Sequence, residues 1–176
     1  MEKTEKKEKR GSLRGEQAIF RLLRIAAAAA GVIGTLIAVW LICIGVSCLS
    51  WGIGERMADM IGAAATGLAT VAVVSICCWR ALLVFDRMVV RLSQGSAFTE
   101  ENTRAMAAIA GALALSGAAI LAAFVLLLLI CREMVLPMIF LLLLALAFFG
   151  VALLAHALGL LVRRAALLQQ DSDLTI

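Results

Sequence analysis

The chain has 176 residues, of which 64% are hydrophobic and 16% charged, and its formal net charge is +4. A mean hydropathy of +1.05 is far above what a soluble domain needs to fill one core, which excludes a water-soluble globule and leaves no length for a separate catalytic domain. The basic excess sits on the tails and connections, where it suits anionic headgroups; direct nucleic-acid contact is not expected.

Residues 1–17 alternate Lys and Glu, include Gly11 and Gly15, and carry one large apolar residue, Leu13, after Met1. Such a segment cannot bury enough surface to order itself, so the composition predicts a disordered charged tail. Residues 18–170 then form one domain of four apolar runs at about 25–49, 61–84, 105–130 and 134–162. Each exceeds the roughly 20 residues that cross a ~30 Å hydrocarbon core as α-helix.

The first run is too long for a signal core of roughly 7–15 residues and is read as a retained span, with Arg21 and Arg24 snorkelling to the headgroups. Its Ala30, Gly34 and Ala38 form a small-residue row suited to close helix approach. A short connection with Trp51, Gly52 and Gly54 follows, and Glu55 and Asp59 stand one turn apart beyond it. After the second run, Arg80, Arg87 and Arg91 recur at helical spacing, which predicts a helix that outlasts the span until Gly95 breaks it. Thr99 is placed to cap a third helix, with Glu100 and Glu101 at the positive end of its dipole.

The third run carries Ala110, Ala114, Ala118 and Ala122 at four-residue spacing, and the fourth carries Ala155 and Gly159. Only Cys131, Arg132 and Glu133 separate these two runs, and Pro137 falls in the first turn of the fourth, where a missing N–H costs little. Thr35, Thr66, Thr70, Ser75 and Ser116 are expected to hydrogen-bond across helices. Residues 171–176 form a short C-terminal tail.

Of the 16 basic residues, 14 lie on the tails and the middle connection, leaving Arg56 and Arg132 for the other side. The positive-inside bias then places both termini in the cytoplasm. The expected fold is all-α: an integral, multi-pass four-helix bundle of the inner (cytoplasmic) membrane, N-in and C-in, in contact with the lipid bilayer and able to form a homo-oligomer through its small-residue rows.

Intramembrane ionisable groups are the usual pointers to chemistry. His156 is the one such group, seven residues before Arg163 and so roughly 10 Å into the inner leaflet. It has no acidic partner at matching depth and no metal-ligand spacing, and a neutral imidazole hydrogen-bonded to a neighbouring helix is the expectation. Cys48 and Cys131 near the outer face allow a disulfide staple, but no C-x-x-C pair accompanies them, so reduced apolar cysteines are favoured. Zincin, Walker A and nucleophile-elbow signatures are missing. No catalytic residue, cofactor or metal site is assigned, and the chain reads as a non-enzyme.

Two segments carry a family resemblance. Gly95-Ser96-Ala97-Phe98-Thr99-Glu100-Glu101-Asn102-Thr103-Arg104 resembles the G-x-P-F-t-x-E-N-x-x-x-L signature of the DUF2975 family of small four-span bacterial and archaeal membrane proteins of unknown function. Asp171-Ser172-Asp173-Leu174-Thr175-Ile176 resembles that family's E-N-D-L-T-I ending, and the similarity extends over nearly all of the chain beyond the charged tail. Ala97 stands where the family has proline, and Ala105-Met106 replaces a more usual Leu-Arg.

The resemblance implies no activity, but such genes commonly neighbour one for a small helix-turn-helix regulator of the Cro/C1 type. The implied role is a membrane tether or sensor partner for such a regulator, with Phe98, Thr99, Glu101 and Asn102 of the loop and Asp173, Leu174 and Ile176 of the tail as partner-binding residues. Terminal-carboxylate capture is one way such a tail is recognised. The alternatives are a small transport or channel subunit with His156 on its path, and a thiol-redox protein using Cys48 and Cys131.

Overall fold

A computed structural model describes the backbone of residues 2–55, 57–93, 100–130 and 135–173, and within these stretches the side chains of residues 18–130, 138–165 and 167. It is all-helical: α1 (Glu2–Gly54), α2 (Ala58–Ser93), α3 (Glu100–Ile130) and α4 (Val135–Asp173). Each contains a stretch long and apolar enough to cross a membrane. Helix is the solution available to an unpaired chain in hydrocarbon, because it satisfies every backbone N–H and C=O within the segment.

The helices outrun the spans on one side only. α2 has 36 residues, about 54 Å of helix, against a ~30 Å core, and its surplus lies towards the middle connection, as the arginine spacing predicts. α4 likewise continues to Asp173. On the opposite side α1 and α2 are joined by a tight turn: the Met57 N–H donates to the Gly52 carbonyl at 2.9 Å, and the Met57 carbonyl accepts from the Ile61 N–H at 3.1 Å, opening α2. The six-residue closing bond is of the kind that ends helices in a Schellman turn.

α1 is helical from Glu2 onward, over the segment that composition assigns to a tail. In the sequence Glu2 precedes Lys6, and Glu5 precedes Lys9, by four residues in the order that supports helix without tertiary contacts.

Packing runs in chain order: α1 on α2, α2 on α3, α3 on α4, with no other helix pair in contact among the described residues. The bundle is therefore open between its first and last members. Residues at seven-residue spacing, all but Met138 small, form the seams of both outer helices. On α1, Gly31 meets Trp79 and Leu82, Gly45 meets Leu68, and Gly52 meets Ile61, with Ala38 half-buried between them. On α4, Met138, Ala145, Ala152 and Gly159 are buried and can face only α3. A 3.5-residue recurrence keeps one stripe on its partner along the whole helix, as in left-handed coiled coils.

This corrects the small-residue row expected in α1. Ala30 and Gly34 are exposed, and a Cβ on Gly34 would meet nothing within 4 Å; the row that makes contact is one position on. In α3 the expected alanine row leaves the interface as well: Ala110 is buried, but Ala118 and Ala122 are exposed. A strict four-residue row drifts around the helix, whereas a seven-residue row does not.

The hydroxyls are also used differently from the expectation. Thr35 donates to the Gly31 carbonyl at 2.7 Å, Thr66 to Gly62 at 2.9 Å, Thr70 to Thr66 at 2.8 Å and Ser116 to Ala112 at 3.0 Å. Each donor is satisfied one turn back on its own helix, a bond that needs no neighbour in lipid. Ser116, fully buried, also stands within hydrogen-bonding reach of the Cys78 thiol of α2.

Candidate functional site

The candidate site is the side of the molecule that carries the end of α2 and the start of α3. Val89 has no exposed surface and Met88 is buried beside it, so the terminal part of α2 has a core of its own. Ion pairs bind three helices there. Arg24 Nε of α1 lies 2.9 Å from Asp86 Oδ1 of α2, and Arg91 of α2 lies 3.1 Å from Glu101 of α3. Within α3, Arg104 pairs with Glu100 at 2.8 Å, one turn apart.

These pairs are partly or largely exposed, so each contributes about 0–1 kcal/mol. Their value is positional: they fix the height of α1 against α2 and of α2 against α3. The Arg24–Asp86 pair was not expected from sequence, which read Arg24 as a snorkelling residue. Asp86 is the lone acidic residue in the second half of α2 and stands next to Arg87, and an acid at a span end in search of a cation was the available signal.

The sequence-predicted loop residues divide. Glu101 is exposed and paired with Arg91, as the first-turn position of α3 allows. Asn102 is only 3% exposed, with its Oδ1 sealed from solvent. A side chain so placed exposes almost no surface, and burial calls for hydrogen-bond partners inside the molecule. Phe98 and Thr99 lie outside the described residues, as do Leu174 and Ile176; Asp173 ends α4, and its side chain is not among those described. Of the arginine stripe, Arg91 enters the corner while Arg80 and Arg87 are exposed.

Other candidates separate from any site. His156 is exposed on α4, one position past the half-buried Ala155, and no described residue hydrogen-bonds it, so the interhelical bond expected of it is not made. Its position beside the α4 seam, not within it, turns the imidazole outward. Cys43, Cys48, Cys77 and Cys78 carry free thiols. Cys48 rides on α1, which among the described residues packs on α2 alone, and Cys131 lies outside those residues. Glu55 and Asp59 are both exposed, and no group of three metal-ligating side chains occurs among the described residues.

No curated protein and no solved structure matches the chain. The model of the DUF2975 family, described as "Protein of unknown function", matches residues 53–176. The match takes in α2, α3, α4 and both resembling motifs and starts at the end of α1, so it reaches less of the chain than the similarity read from sequence. The chain is a member of the DUF2975 family.

Proposed function

We propose that this multi-pass membrane protein is a non-enzymatic tether or sensor partner that holds a small helix-turn-helix regulator at the cytoplasmic face of the inner membrane. The observation that carries the reading is the asymmetry of the two sides. One joins α1 to α2 in a tight turn; the other extends its helices beyond the spans and ties α1, α2 and α3 together through Arg24–Asp86 and Arg91–Glu101. That extended side also carries 14 of the 16 basic residues, which supports a cytoplasmic placement.

In this reading Asn102 and Glu101 set the corner, while Phe98, Thr99, Asp173, Leu174 and Ile176 supply the partner contacts. The exposed Arg80 and Arg87 leave the adjoining α2 surface strongly basic. A second copy of the chain would pack on the outward Ala30 and Gly34 of α1, where backbones can approach closely. The outward placement of His156 lends no support to a transport path lined by it, and the free Cys48 thiol lends none to thiol relay.

The test is cross-linked affinity purification from native membranes with the full chain and with a form lacking residues 171–176. A cytoplasmic DNA-binding protein recovered with the full chain alone is the expected result. Recovery of nothing beyond the chain itself in both forms removes the tether reading.

A further inference from the structure

We propose that the outward side of the α2–α3 pair docks a transmembrane helix of another protein, one that carries an aspartate or glutamate within its span to neutralise Arg80. The proposal does not depend on any soluble regulator. It rests on the depth, the direction and the missing counter-charge of a single arginine.

Contacts between neighbouring helices set the depth. A Cβ on Gly31 would lie 3.5 Å from both Trp79 and Leu82, which puts Arg80 level with Gly31 of α1. Cys78 reaches Ser116 and Arg91 pairs with Glu101, so the same level falls at about Leu113 of α3. The contacts of Gly117 with Phe149 and of Gly159 with Met106 carry it on to about Ala152 of α4. All three positions lie in apolar runs. Arg24, Arg87, Arg104 and Arg163 stand at one common level farther towards the termini, beginning seven residues past Arg80 on α2. From Arg87 back to Ile61, which lies against Gly52 at the opposite turn, is 26 residues, roughly 39 Å of helix. A ~30 Å hydrocarbon core centred in that interval holds Arg80 about one turn inside it.

Helix direction decides where the guanidinium can go. A helical side chain leaves its Cα tilted towards the helix N-terminus. On α2, which runs towards the side of the termini, that tilt aims Arg80 at the middle of the membrane. On α1, which runs the other way, the same tilt aims Arg24 at the headgroups. Arg80 is thus poorly placed to snorkel to a lipid phosphate. It is exposed and makes no ion pair among the described residues, while Asp86, the nearest acid on its own helix, is held by Arg24.

Charge complementarity selects the occupant. Val73, Arg80 and Arg87 form one exposed stripe of α2, turned away from the α1 contacts of Leu68 and Leu82 and from the buried Cys77, Ala81 and Met88. Beside it α3 presents the exposed Ala108, Leu115 and Ala122, with the half-buried Ala112 next to them. Alanines let a helix backbone approach closely, and a guanidinium held in hydrocarbon calls for an opposite charge. A second copy of this chain cannot supply it, because none of the 12 Asp and Glu residues falls within the four apolar runs. The carboxylate at that depth belongs to a different protein.

The test is photo-cross-linking of the full chain in its native membranes, with p-benzoylphenylalanine in place of Val73 and the cross-linked peptide read by mass spectrometry. The expected product joins α2 to an apolar segment of another protein with an Asp or Glu in the half of its span nearer the termini of this chain. Arg80→Gln should lower its yield at least about tenfold, since removing one member of a desolvated pair strands the other, while Arg80→Lys should keep most of it. Reversing both charges, with Arg80→Asp in this chain and arginine for the partner's carboxylate, should restore the product. Arg80→Gln should unfold in micelles as the wild type does, because the side chain is exposed. Removing residues 171–176 should leave the yield unchanged, which separates this surface from the one proposed for a regulator. Cross-links to lipid alone, to a second copy, or to a segment without an acidic residue overturn the proposal. So does a yield that Arg80→Gln leaves intact, one that the truncation abolishes, or a reversed pair that restores nothing.

Discussion

Gly45 and Gly34 lie eleven residues apart on the same helix, yet an added methyl group should have opposite effects at the two. A Cβ on Gly45 would stand 2.8 Å from Leu68 Cδ2 and 2.9 Å from Leu68 Cγ, whereas one on Gly34 would meet nothing within 4 Å. Both changes gain about 1 kcal/mol of helix propensity from Gly→Ala. At Gly45 the methyl also forces Leu68 or the helix itself to move, which costs about 1–3 kcal/mol in a packed seam.

The expected gap in stability between Gly34→Ala and Gly45→Ala is therefore about 1–3 kcal/mol, with Gly34→Ala at or above wild type. α1 packs on α2 alone among the described residues, so the loss cannot be shared with a third helix. Reversible unfolding in mixed micelles measures it, and pairing Gly45→Ala with Leu68→Ala supplies the control, since the second truncation makes room for the first. A coupling of about 1 kcal/mol in the restoring direction is expected for residues in direct contact. Equal stabilities for the two alanine variants, with strict additivity in the cycle, would refute the seam at Gly31, Gly45 and Gly52.

Gly159→Leu should loosen α4 from α3 by driving into Met106, and unfolding should register a loss of about 1–3 kcal/mol; an unchanged transition would contradict the α4 seam. Asn102→Ala should cost about 1–3 kcal/mol because it strips a buried amide from the corner, while full stability with lost partner recovery would instead make Asn102 a contact residue. The Arg24–Asp86 pair should show a coupling of only about 0.2–1 kcal/mol in a double-mutant cycle, fading with salt, because both groups are half-exposed; a coupling several times larger would mean the pair is shielded from solvent.

The number of apolar helices and the helical continuation of α2 past Arg80 were legible because hydrocarbon imposes a length and charge interrupts the apolar runs. The seams were less so. In hydrocarbon the residues that face a neighbour and those that face lipid are equally apolar, so hydropathy does not mark the buried stripe. Alanine and glycine are so frequent in α1 and α3 that several rows compete, and the Ala30, Gly34 row was chosen where Gly31, Ala38, Gly45 and Gly52 make the contact. The seven-residue period of Met138, Ala145, Ala152 and Gly159 was present in the sequence and is the better guide. Thr35, Thr66 and Thr70 turn to a carbonyl one turn back, which is always within reach, and Ser116 does so while also reaching across to Cys78 of α2.

Within the candidate site, the loop motif was legible but the duties of its residues were not. Asn102 and Glu101 are adjacent, and no local pattern tells that one is buried and the other exposed. The partner of Asp86 needed a long-range register between α1 and α2 that no local pattern encodes.

The central claim is that four spans cross the membrane with both termini on the cytoplasmic side. Site-directed thiol labelling of intact cells tests it most directly, using single cysteines at Glu55, Ser93, Arg104 and residue 167 in a background with Cys43, Cys48, Cys77, Cys78 and Cys131 replaced. A membrane-impermeant maleimide should react at position 55 alone before lysis and at all four positions after it. Labelling at positions 93, 104 and 167 in intact cells, with position 55 protected, would invert the topology and contradict the cytoplasmic placement of the proposed platform.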